Sequence, residues 1–172
     1  MKTIRTLMMC IIAICSISCN NNDDVESIFT DKRWNLSFIA SEGSYKQYNF
    51  WGGEMNGSNI KFANSMNALK NTGNFFVEFT GTINNRTISG TFSGKGISGV
   101  INGKWTANSE TREMSTSGTS VSNSESDVLA AAFIQGLNNA IRYEGDENNL
   151  FIYYKDKDGS VKFMGLVVKN QD

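Results

Sequence analysis

The chain's reactive side chains cluster at one end. Cys10, Cys15 and Cys19 all lie within the first 19 residues, and no cysteine follows. There is no histidine anywhere, so the commonest general base and metal ligand is missing. A domain beyond residue 19 therefore has no thiol for nucleophilic catalysis or zinc binding. No serine sits in a nucleophile elbow. Paired carboxylates could hydrolyse glycosides, and Glu54 and Glu78 are conceivable. Glu78, however, is expected opposite Val77 and Phe79, on a solvated face. Gly94-x-Gly96-x-x-Gly99 has the letters of a dinucleotide loop, but that mechanism needs a helix N-terminus next, and here a strand is expected. Asp146, Glu147, Asp156 and Asp158 could hold calcium, yet they lack EF-hand spacing and its closing glutamate; an Asp-Gly hairpin turn is the simpler reading. No enzyme, cofactor or metal site is expected.

What remains is lipid chemistry and aromatic contact. Lys2 and Arg5 precede an apolar stretch from Leu7 to Ile17, which has the charge and length of a signal peptide. That stretch is about half of the roughly 20 residues a membrane-spanning helix needs. Ser16-Ile17-Ser18-Cys19 resembles a bacterial lipobox, with serine where a leucine-like residue is usual. The resemblance implies that residues 1–18 are removed and Cys19 is lipidated. The alternative is an ordinary cleaved signal with a chance cysteine. Residues 19–28, rich in Asn, Asp and Glu, read as a flexible acidic tether. They also resemble an export signal that carries lipoproteins to the surface in some Gram-negative bacteria. Tyr45, Tyr48, Phe50 and Trp51 form the one aromatic cluster suited to stacking on sugar rings or anchoring a protein. At alternating spacing, two of the four belong in a core. Tyr45, Tyr48 and Trp51 are the candidate contact residues.

Removing 18 of 172 residues leaves 154, enough for one core. With Lys2 and Arg5 gone, 14 basic residues face 17 acidic ones, a net charge of −3. No basic patch suggests nucleic acid. There is no proline. Alternation predicts strands at 34–40, with Trp34, Leu36 and Phe38 on one face, and at 75–83, with Phe75, Val77, Phe79 and Ile83 together. Further strands are expected at 45–51, 59–63, 86–93, 97–107, 111–121, 149–154 and 161–168. Turns fall at Asn84-Asn85 and Gly94–Gly96, and an Asp156–Gly159 hairpin joins the last pair. Residues 55–74 otherwise read mostly as loop.

One helix is clear. Leu129, Phe133, Gly136, Leu137, Ala140 and Ile141 make an apolar stripe. Ser124 is the expected N-cap, and the helix should run from about 125 to 142, stopping before Gly145. A curved antiparallel sheet packed on this one main helix is the economical fold.

Trp34-Asn35-Leu36, Thr87–Phe92, Gly103-Lys104-Trp105, the helix ending at Leu137, and the strands at Asn149–Tyr154 and Val161–Phe163 resemble a META domain, the HslJ-like family of bacterial envelope proteins. The resemblance spans roughly residues 29–168 and places the domain at 29–172. It implies an α+β fold and an envelope location, but no shared reaction. The expected function is a non-catalytic, lipid-anchored protein of the outer membrane or cell surface, working through contact with an envelope protein or in envelope maintenance. A ligand-binding lipoprotein, for glycans or an apolar ligand, is the alternative.

Overall fold

The computed structural model describes residues 21–168, with side chains from Val25 onward. Cys19 and the segment expected to be a signal peptide lie outside the described residues. Eight strands form one antiparallel sheet: β1 (Arg33–Ser41), β2 (Phe76–Asn84), β3 (Thr87–Lys95), β4 (Val100–Asn108), β5 (Met114–Val121), β6 (Ala140–Gly145), β7 (Asn149–Lys155) and β8 (Val161–Val168). Three short helices accompany them: α1 (Asn21–Phe29), α2 (Ile60–Lys70) and α3 (Val128–Asn138). The expected plan of one main helix on a sheet is therefore wrong. The apolar stripe ran past the end of α3, whose Asn139 ends the helical backbone. Ala140 and Ile141 open β6, with Ala140 opposite Tyr154 and a register shift over Ile141 before Arg142 meets Tyr153. Helix and strand periods are hard to separate over so few residues.

The strand order β5-β4-β3-β2-β1-β8-β7-β6 is an up-and-down meander read in a circle. The sheet closes where the chain ends meet, with β1 against β8 from Trp34↔Val168 to Ser41↔Lys162. Its seam lies between β5 and β6, where α3 is inserted. There the edges still approach: Glu113 bridges Arg142, and the Tyr143 amide donates to the Arg112 carbonyl at 2.9 Å. Curling a sheet until its edges nearly meet removes most of its free edge.

Two helices fill the ends of this barrel-like sheet. Phe29 of α1 packs on Phe79, Trp105 and Tyr143, with ring centroids 4.6–5.1 Å apart. Val25, Ile28 and Phe29 are buried. The segment read as a flexible tether thus becomes a helix at Asn21, and its apolar residues join the core. At the other end, α3 lies across the mouth. Leu137 sits against Gly94 of β3, and Gly136 lets Met164 of β8 approach. The register puts Ser41, Tyr154 and Lys162 at this α3 mouth, and Arg33, Asn84 and Val168 at the α1 end. Strands of nine residues make the two ends roughly 30 Å apart along the strand.

Bulges and glycines set which side chains face inward. A register shift in β1 between Leu36 and Phe38 turns Phe38 to the outer face and Ile39 inward. Phe38 therefore leaves the face expected for it with Trp34 and Leu36. In β3, Gly90 is opposite Trp105, whose indole N–H reaches the Thr80 carbonyl on β2 at 3.0 Å. A Cβ on Gly90 would lie 1.8 Å from that carbonyl oxygen, so only glycine lets the strands lie so close.

Candidate contact site at the α3 mouth

The expected strands at 45–51 and 59–63 do not form. Residues 42–59 make a loop over the rim of the mouth, and Asn59 caps α2 by accepting from the Phe62 amide. The helix signal in α2 was present as Phe62, Met66 and Leu69, three and four apart, but Asn, Ser and Lys filled the rest of the segment. The Tyr48 amide donates to the Ile39 carbonyl at 2.7 Å, and the Ile39 amide donates to the Gln47 side chain at 3.3 Å. These bonds tie the loop to the end of β1.

The aromatic cluster does not split by alternation, since no strand forms here: Tyr45 and Tyr48 are exposed, Phe50 is half-buried, and Trp51 is buried. It is 7% exposed, packs edge-on against Phe62, and donates its indole N–H to Ser65 Oγ at 2.7 Å. It is part of the core and offers no contact surface. Ser65 passes the link on, donating to Asp127 Oδ2 at 2.5 Å. Asp127, not Ser124, is the N-cap of α3, accepting from the Leu129 and Ala130 amides at 2.9 Å each. Tyr45 and Tyr48 do face solvent, at 80% and 37% exposure. Tyr45 rests its ring on Phe163 of β8, beside Phe38, Phe151 and Tyr153, which also pack on Phe163. The outward turn of Phe38 completes this aromatic cluster on the outer face of the sheet.

Beneath Tyr48 lies a charged group that sequence reasoning missed. Lys162 is 1% exposed and directly opposite Tyr154 in the β7–β8 ladder. Its ammonium pairs with Asp156, donates to Ser160 Oγ at 3.1 Å, and sits 4.4 Å from the Tyr48 ring centroid. Asp156 also accepts from Gln135 Nε2 and the Lys157 amide, both at 2.7 Å. Its carboxylate thus holds the Lys162 ammonium at the turn. Burial opposes its ionisation, but the bonds from Lys162, the Lys157 amide and Gln135 outweigh that and hold its pKa below the usual value. The only sequence signal for Lys162 was a lysine on the inward parity of an otherwise apolar strand.

The glycine loop does cradle an anion, though not a nucleotide. The amides of Ile97, Ser98 and Gly99 converge on Glu125, at 2.7–3.0 Å from Oε1. A Cβ on Gly96 would lie 2.2 Å from the same oxygen. Successive amides in such a turn form a nest for negative charge, here filled by the segment leading into α3. Among the other groups considered, Glu78 is outward and pairs with Arg33 at 2.7 Å. Arg142 lies on β6 over the Tyr153 ring and pairs with Glu42.

The family described as Domain of unknown function (DUF4847) matches residues 20–168. This chain belongs to the DUF4847 family. That overturns the resemblance to META domains, which rested on the order of strands and helix shared by many small sheet proteins. A crystal structure of a DUF4847 family protein from Bacteroides vulgatus ATCC 8482 is similar, with a TM-score of 0.60 and 21% identity, over 86% of this chain and 99% of that one. At that identity the likeness speaks for the DUF4847 fold alone. No curated protein matches. No helix among the described residues is long and apolar enough to cross a membrane.

Proposed function

We propose that this DUF4847 protein is a non-catalytic, lipid-anchored protein of the outer membrane that acts by contact through the rim of its α3 mouth. The observation that carries the reading is the placement of the two ends. α1 begins two residues after Cys19 and packs at one end of the barrel-like sheet. Tyr45 and Tyr48 stand at the other. A lipid on Cys19 would put the bilayer on the α1 side and turn the exposed tyrosines outward, toward a partner. Tyr45 has its ring braced on Phe163, and an exposed, braced aromatic loses little side-chain entropy on binding.

The test is crosslinking in cells followed by recovery of the full-length chain. The expected result is an envelope protein recovered with the wild type and lost with Tyr45→Ser/Tyr48→Ser. The same protein recovered equally by both would overturn the rim as the contact surface. Recovery of glycan with no protein would favour the ligand-binding alternative.

A further inference from the structure

Burial is expensive for an ammonium and for a hydroxyl without a partner, and the α3 mouth holds one of each. The Tyr154 hydroxyl is buried and finds no hydrogen-bond partner among the described residues. Lys162 lies directly across from it. Opposite residues of an antiparallel pair share a face, with Cβ atoms about 5 Å apart. Two donors are thus presented side by side at the end of β7 and β8. The acceptor nearest in sequence, Asp156, is already engaged by Lys162, Gln135 and the Lys157 amide. Lys162 has three contacts of unequal strength. Asp156 and Ser160 accept hydrogen bonds from it, while the third side faces only the π face of Tyr48.

That third contact is also the removable one. Tyr48 belongs to the rim loop, is partly exposed, and is held to β1 by the Ile39 bonds. A cation beside an aromatic face gains less than one bonded to an oxygen anion. We propose that Tyr48 is a gate over a binding site for a small organic carboxylate. One carboxylate oxygen accepts from the Tyr154 hydroxyl, and the other takes the face of Lys162 that Tyr48 covers. Asp156 and Ser160 stay in place and hold the ammonium in position. Tyr48 moves aside and Phe50, whose ring lies tilted against it at 4.8 Å, lines the apolar side. The site does not rest on the rim acting as a partner surface, and its test needs no membrane and no partner.

Benzoate and acetate are the probes, benzamide the neutral control, and the readout is NMR of isotope-labelled tyrosine rings in the full chain. Benzoate is expected to shift the Tyr48 and Tyr154 rings to saturation, with a Kd on the order of 1 mM, while benzamide leaves them unmoved. Tyr154→Phe removes one unpartnered hydroxyl and keeps the fold; it should weaken benzoate about tenfold. Lys162→Met should abolish the shifts, and if that variant does not fold, Tyr154→Phe decides alone. Unmoved rings with both carboxylates, or an affinity unchanged in Tyr154→Phe, would overturn the site and leave Lys162–Asp156 as an ion pair that only closes the mouth.

Discussion

Glu125 shows how a single side chain can take a role its spacing does not announce. Three amides converge on its carboxylate, so Glu125→Ala leaves the 96–99 turn without its counter-charge. Bonds to charged groups contribute more than neutral ones, and the loss should be about 2 kcal/mol, read as a lower urea midpoint at unchanged m-value. Gly90→Ala is more severe. Its methyl would collide with the Thr80 carbonyl, and the expected outcome is a chain without near-ultraviolet signal from a fixed Trp105. Asp156 gives a pH dependence. Its pKa is held low in the folded protein, so it contributes stability above the unfolded value near 4, lost as pH falls through the folded value. Acid titration of the unfolding free energy should therefore show a decline below about pH 4. Asp156→Asn should make that decline shallower without abolishing it, because Asp146 and Asp158 are shifted in the same direction.

At the scale of elements, legibility followed how much one face alternates. β2 was readable because Val77 and Phe79 are buried between outward Glu78 and Thr80. The hairpin around Gly159 was readable because Gly159 takes a positive φ of 82°, a conformation that favours glycine. β1 was found but its face was misjudged after Leu36, since no residue type marks a bulge. α1 and α2 were missed for a common reason: each buries few residues in a polar segment, and tertiary packing supplies most of the stability of such short helices. α3 was seen, but its cap was placed at Ser124 because Asp127 also suits the first turn. Asp127→Ala removes the cap and its bond from Ser65 together. Calorimetry should show a loss of about 1–2 kcal/mol, and Ser65→Ala should cost less in that background than in the wild type.

For the whole molecule, the up-and-down order explains why one core serves both ends. Phe29 reaches it from α1 and Phe133 from α3. The account predicts that α1 is part of the fold, so Phe29→Ala should cost about 3–5 kcal/mol, measured by urea unfolding. Composition alone pointed away from thiol and histidine chemistry. The rim site was only half legible, because Lys162 and Tyr154 meet through register between two strands and not through spacing along the chain.

The most direct test of an anchored domain is labelling of cells with a clickable fatty acid, followed by fractionation, for the wild type and Cys19→Ala. The account predicts label on the wild-type protein in the outer-membrane fraction, and a Cys19→Ala protein without label and absent from that fraction. Equal membrane association of an unlabelled wild type and of Cys19→Ala would contradict it.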